Sequence, residues 1–312
     1  MTLSSLQQKI KPWMLLIAMA CGIFFHNFIS MIEWIIPYLI LTMLTITFCR
    51  ISPREFRPGP MAWRLMAIQA GGCLVLYYAL RPLAGEDVAQ AAFICVLCPT
   101  ATAAPVVTGM LGGNVARLTS FSVISNLGAA ILAPLFFSMT GGHTNAGISF
   151  AGTSLAIGSR VAPLILLPLG IAFTFYFAAP KLHKAIGKMQ PLSFYLWSIS
   201  LIVAVGRSVS FAIAEPADKI PEMALIAATA GVVCLAQFAI GRRIGGRFGD
   251  KISGAQGLGQ KNTILAIWLA LTFLNPISSI GPAAYVAWQN IINSAQIFRH
   301  SRQSAESPAA KP

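Results

Sequence analysis

The sequence predicts an all-α polytopic membrane protein with ten transmembrane helices, arranged as two inverted five-helix repeats. Three observations predict it. Apolar runs near 20 residues recur along most of the chain, each long enough to cross a hydrocarbon core of about 30 Å. Of the 312 residues, 56% are hydrophobic and only 10% charged, with mean hydropathy +0.72, whereas soluble domains carry about 25% charged residues. The basic residues concentrate in alternate loops.

The spans fall, in order, at 13–28, 31–49, 62–83, 87–111, 115–139, 159–180, 191–213, 221–241, 253–274 and 279–298. The first lacks a small-residue cleavage site and reads as a retained span, not a removed signal peptide. The second contains Glu33, the one acidic residue clearly placed within a span. The third holds Gly71 and Gly72, suited to close helix packing. The seventh holds Arg207, which reads either as a substrate-binding arginine or as a structural residue that snorkels or meets backbone carbonyls. One integral membrane domain covers residues 1–300, with repeat one at about 12–139 and repeat two at about 155–298. The polar segment 301–312, rich in Ser, Ala and Pro, reads as a disordered cytoplasmic tail.

Charge sets the topology. With the N-terminus in the cytoplasm, the inside segments hold Lys9, Lys11, Arg50, Arg54, Arg57, Arg117, Lys181, Lys184, Lys188, Arg242, Arg243, Arg247, Lys251, Arg299, Arg302 and Lys311. The outside loops hold mainly Arg81 and Lys219, with Arg160 near the start of span six. This bias places both termini in the cytoplasm, as expected for a multi-pass protein of a bacterial inner membrane. The net charge of +13 is therefore read as topology and contact with anionic lipid, and nucleic acid is not an expected partner. The six cysteines lie in or beside apolar spans, and Cys95 and Cys98 have no second pair or nearby His to complete a metal site. They read as buried free thiols.

Five is odd, so the second set of spans must run inverted to the first. The fourth member of each set is irregular. Span four contains Cys98-Pro-Thr-Ala-Thr-Ala-Ala-Pro105, whose two prolines each remove a backbone donor. Span nine contains Lys261, a full charge that costs about 3 kcal/mol on insertion scales. Gly257 and Gly259 just before it are poor helix formers and are read as breaking the span. The next member of each set carries two polar residues one turn apart, Ser122 with Asn126 and Gln289 with Asn293. Singly, such features often serve packing or interhelical hydrogen bonds worth about 0.6 kcal/mol. Together they mark a candidate site of Thr100, Thr102, Ser122, Asn126, Gln260, Lys261, Asn262, Gln289 and Asn293. Half-helix N-termini near Thr100 and Asn262 would favour an anion there. Carbonyls of the unwound backbone, or Thr102, Ser122, Asn126 or Asn262, are the expected acceptors for the ammonium. Lys261 reads either as a permanently charged tie or as a group that exchanges its proton.

Cys98, Pro99 and Thr102 at the opening of the break, then Gly113-Asn114-Val115-Ala116, and Asn262-Thr263-Ile264-Leu265-Ala266 in span nine resemble the bile acid:sodium symporter family. The resemblance covers the chain to about residue 298. It implies a core of spans 3, 4, 5, 8, 9 and 10 facing a panel of spans 1, 2, 6 and 7, with discontinuous helices four and nine crossing near the midplane. It also implies transport of bile acids or smaller carboxylates, usually driven by sodium. The sodium ligands of the family are depleted. Ala104 and Pro105 stand where a Ser-Asn pair is expected, and Gly257 and Lys261 where a Glu and a Gln are expected. Ser122 and Asn126 keep polarity in span five, and Gln69 matches a span-three glutamine.

No acidic residue lies in the interior of spans four, five, nine or ten. The expected function is thus secondary active transport of organic anions, with Lys261 in place of a sodium ion and no cofactor. Sodium is not favoured as the coupling ion, and proton coupling stays open. The alternative is a cation/proton exchanger of related fold, which usually needs a midplane carboxylate where Asn126 stands. An enzyme is not expected, since His26, His143, His183 and His300 lie in loops or near span ends with no nucleophile–base pairing.

Overall fold

The computed structural model describes residues 14–50, 52, 56–140 and 149–306. Among them the protein is all-helical and forms no strand; the single β-type contact is an isolated bridge between Thr100 and Lys261. Five helical segments are long and apolar enough to cross a membrane: Met31–Phe48, Val115–Thr140, Phe150–Ala178, Tyr195–Ala214 and Ala217–Gly246. Lys9, Lys11, Arg54, His143 and Lys311 lie outside the described residues, as does the link between the two expected repeats at 141–148.

The N-terminal region is more broken than the periodicity predicts. It consists of α1 (Met14–Phe24), the short α2 (His26–Ile29), a 3-10 turn (Ser30–Ile35) and α3 (Ile36–Phe48), which starts with proline in its first turn. Helix α4 (Pro60–Ala84) likewise opens on proline, and Gly85 separates it from α5 (Glu86–Leu97). Beyond a break come α6 (Ala104–Met110) and the long α7 (Val115–Thr140). Ser149 caps α8 (Phe150–Ala178) by accepting from Gly152 N at 3.2 Å. A short helix unforeseen in the sequence, α9 (Pro180–Gly187), carries Lys181 and Lys184 and buries His183 edge-on against Tyr176. Then follow α10 (Gln190–Ala214) and α11 (Ile220–Gly246). Asp250 caps α12 (Lys251–Gly259), taking a hydrogen bond from Ser253 N at 3.0 Å. Helix α13 (Thr263–Phe273) and α14 (Ile280–Glu306) complete the chain.

Helix α14 corrects the expected tail. It runs to Glu306, through the first half of the segment read as disordered, because no helix breaker intervenes before Pro308. The remaining residues, 307–312, lie outside those described.

Two packing groups position the breaks. Helices α1, α3 and α8 pack with α10 or with one another; α4, α11 and α14 pack around α5, and α7 packs against α4 and joins the second group to the first through α8. Helices α11 and α12 form the tightest hairpin: a Cβ on Gly254 would sit 2.3 Å from Gly241 O, so only glycine permits this approach. An aromatic chain links α4, α5, α7 and α13, with ring centroids of Tyr77 and Phe93 6.0 Å apart, Phe93 and Phe137 5.8 Å, and Phe137 and Phe273 5.7 Å. Such contacts add about 0.5–1.5 kcal/mol each beyond burial.

Candidate functional site

Both irregular segments are true helix breaks, and they bind each other. Break one separates α5 from α6; break two separates α12 from α13. Ala101 N donates to Gln260 O at 2.8 Å, and Asn262 N donates to Pro99 O at 2.8 Å. Backbone groups freed by each break therefore find partners in the other, as a buried, non-helical chain requires.

Side chains of the surrounding helices close the rest. Thr100 N donates to Ser125 Oγ (3.1 Å), which donates to Gln69 Oε1 (2.8 Å). Gln69 Nε2 in turn donates to Leu97 O (2.8 Å) and more weakly to Cys98 O (3.4 Å). Across the crossing, Lys261 N donates to Gln289 Oε1 at 3.0 Å. Gln237 Nε2 donates to Cys95 O (3.2 Å) and to Tyr285 Oη (3.0 Å), while Tyr285 Oη donates to Gly259 O (2.8 Å). Thr100 Oγ1 donates to Gly257 O at 2.9 Å.

Lys261 is 1% exposed, among the largest side chains fully buried in the molecule. Its Nζ donates to Val96 O at 2.8 Å, in the last turn of α5. Of the expected acceptors, a backbone carbonyl takes the ammonium, at a helix end and not in the unwound segment, and the side chains of Thr102, Ser122, Asn126 and Asn262 do not. The reason is electrostatic. The end of α5 presents unpaired carbonyls and the negative pole of the helix, and a cation there gains about 0.3–2 kcal/mol. A hydrogen bond to a charged donor adds about 1.5–3 kcal/mol, enough to offset much of the burial cost.

The glycines also need correcting. Gly257 lies inside α12 and Gly259 is its last residue, so the helix runs through both glycines before the break. A Cβ on Gly259 would sit 2.4 Å from the Phe238 ring, and one on Gly257 2.9 Å from Phe121, so these glycines allow packing. Break two begins only at Gln260, where the chain turns extended to meet break one. The first half-helix also starts later than expected, at Ala104 and not near Thr100. Residues 99–103 are held by the pairing, and Pro105 in the first turn favours initiation there. The second begins where expected, with Asn262 Oδ1 accepting from Leu265 N at 3.3 Å.

The structure thus brings together Gln69, Thr100, Gln260, Lys261, Asn262 and Gln289. Thr102 stands half-buried in the turn before α6. Asn126 Nδ2 donates back to Ser122 O (2.8 Å), and Asn293 Oδ1 accepts from Gln256 Nε2 (3.0 Å), so neither amide reaches the breaks. Asn126 Oδ1, Gln260 Oε1 and Thr263 Oγ1 are buried with no hydrogen-bond partner among the described residues. Arg207 forms an ion pair with Glu33 and lies over the Phe211 ring at 4.6 Å. Its partner is therefore a carboxylate, not the carbonyls expected for a structural arginine.

Ser125, Gln237 and Tyr285 were not foreseen. Signals existed for each: Ser125 lies one turn from Ser122, Tyr285 lies one turn before Gln289, and Gln237 is a polar residue inside the apolar eighth span. A cavity of about 310 Å³ opens beside break one, lined by Thr47, Arg50, Ser52, Pro105, Val115 and Ser122 among others. Lys261 does not line it. No protein-family model matches the chain, and no curated protein matches it.

Proposed function

We propose that the protein is a secondary active transporter of organic anions, working by alternating access across a bacterial inner membrane with both termini in the cytoplasm. The observation that carries this reading is the pairing of two buried helix breaks around one buried ammonium. Broken helices meeting in a membrane protein are the usual frame of a transport site, because they offer backbone groups to a substrate without leaving them unsatisfied in lipid.

Ten spans in two inverted repeats complete the proposed architecture. Two equivalences support it. Thr100 N and Lys261 N, at matching points of the breaks, each donate to a side chain on the long helix that follows, Ser125 in α7 and Gln289 in α14. Gln69 and Gln237 each bond a hydroxyl on that same helix, Ser125 and Tyr285. A core and a panel, and membership of the bile acid:sodium symporters, are part of this proposal on the resemblance; the packing of α1 and α3 with α10, and of α4, α11 and α14 around α5, supports it.

Sodium, as a co-substrate, fits poorly. The resemblance puts a sodium ligand at Lys261, and an ammonium there repels a second cation. We take the lysine as the standing charge, and transport is proposed not to require sodium. A cation/proton exchanger is the second reading, favoured only by the buried amine of Lys261, which could release a proton.

Uptake of labelled small carboxylates and bile acids into proteoliposomes, with sodium and proton gradients imposed separately, tests the reading. Anion uptake that is indifferent to sodium is expected. Saturable sodium stimulation of the wild type would remove Lys261 from the role of surrogate. Proton flux driven by a cation gradient, without anion uptake, would favour the exchanger.

A further inference from the structure

Four of the six cysteines converge on the end of α5, beside the crossing. Cys95 lies in the last turn of that helix and Cys98 caps it. Cys73 stands one turn after Gln69 on α4, on the face that bonds Leu97 O and Cys98 O. Cys234 stands one turn before Gln237 on α11, on the face that bonds Cys95 O. All four are free thiols, and none is more than 1% exposed. Lys261 Nζ, held on Val96 O, stands among them: its charge acts on Cys98 most strongly, then on Cys73 and Cys95. Among the described residues no three His, Cys, Asp or Glu side chains gather closely enough to hold a metal ion. A disulfide needs only two sulfurs. Residues three apart on a helix have Cβ atoms about 5–6 Å apart, and a disulfide needs about 3.5–4.5 Å. That gap closes most easily at a helix end, and Cys98 is the cap residue, with ψ already extended at 143°.

We propose that Cys95 and Cys98 are a site of reversible oxidation by hydrogen peroxide, closing to a disulfide beside Lys261 and thereby stopping transport. In the closed crossing the thiols are shielded from water and inert. The inference rests on the transporter reading, in which the crossing opens to water in each cycle. Cys98, the thiol nearest in charge to the ammonium, is then the first to be oxidised. Its sulfur takes one oxygen from the peroxide as the O–O bond breaks, giving a sulfenic acid and one water. The Cys95 sulfur attacks that sulfur, the S–S bond forms, the S–O bond breaks and a second water leaves. The two thiols lose two electrons and the peroxide gains them. Closure draws the last turn of α5 together, and with it the Val96 carbonyl that holds Lys261.

The test treats full-length protein in phosphatidylcholine liposomes with hydrogen peroxide, blocks the remaining thiols with N-ethylmaleimide in denaturant, and reads each cysteine by peptide mass. The peptide carrying Cys95 and Cys98 is expected to lose two hydrogens, to escape the maleimide and to recover both thiols with dithiothreitol. Cys95→Ser should halt at the sulfenic acid, trapped by dimedone on Cys98, and Cys98→Ser should slow oxidation of Cys95 by about tenfold. Lys261→Met should slow disulfide formation by about tenfold and Lys261→Arg should keep most of the rate, which separates lost charge from lost fold. Anion uptake should fall with the disulfide and return with dithiothreitol, and the double variant Cys95→Ser/Cys98→Ser should resist peroxide. Oxidation confined to other cysteines, or none at all, overturns the site, and a complete disulfide that leaves uptake unchanged overturns its control of transport. A disulfide that forms in protein taking up no anion would sink the transporter reading alone, and sound uptake without the disulfide would sink this site alone.

Discussion

The two breaks share one backbone pairing but are closed by different chemistry. At break one, the last carbonyls of α5 are met by the Gln237 amide of α11, the Lys261 ammonium of break two and the Gln69 amide of α4. At break two, the carbonyls of Gly257 and Gly259 are met by the neutral hydroxyls of Thr100 and Tyr285. The one charge at the crossing is thus supplied by break two and spent on break one. The breaks also differ in origin. Break one is written into the sequence by Pro99 and Pro105, whereas break two has no proline, and its glycines are helical packing residues. The difference teaches that break two is opened largely by its partner: Asn262 N and Gln260 O are drawn into hydrogen bonds with Pro99 and Ala101 in place of their own helix.

That comparison can be broken at Lys261. Lys261→Gln removes the shared charge and is expected to reduce uptake to background under every gradient, the largest effect at the crossing. Any residual transport should acquire sodium stimulation, since a neutral oxygen replaces the ammonium. Stability should fall less than function, because removal of a buried charge also removes its desolvation cost. Unchanged uptake would reduce the lysine to a tie.

Gln69→Leu against Gln289→Leu sharpens it next. The first strands Leu97 O and Ser125 together and should cost about 2–3 kcal/mol; the second strands only Lys261 N and should cost about 1 kcal/mol. Both are measured by thermal unfolding in detergent. Equal losses would mean that the two breaks are supported alike. Gly259→Ala should then cost about 1–3 kcal/mol by overpacking against Phe238, despite alanine's better helix propensity. A stabilised Gly259→Ala would restore the reading of glycine as a helix breaker. Pro99→Ala should change stability by less than about 0.5 kcal/mol, because the cross-break hydrogen bonds hold the segment open. A cooperative rise in helicity on this substitution would show that proline alone keeps break one unwound.

The sequence by itself determined the all-helical, apolar character, the approximate position of both irregular segments and the placing of Lys261 at one of them. These follow from local chemistry: hydropathy over a span, a proline's missing donor and a charge in an apolar run each act where they stand. One-turn spacing also paired Gln289 with Asn293 on one face, but of the two only Gln289 meets break two. Only the tertiary structure decided that Lys261 reaches Val96, that Ser125 and Tyr285 close the breaks, and that Arg207 meets Glu33. Each is a contact between residues distant in the chain, fixed by which helix ends face one another. The same holds for Gly257 and Gly259, whose sequence suggests a break and whose neighbours Phe121 and Phe238 make them packing residues. A glycine's low propensity costs only about 1 kcal/mol, which close helix contact readily outweighs.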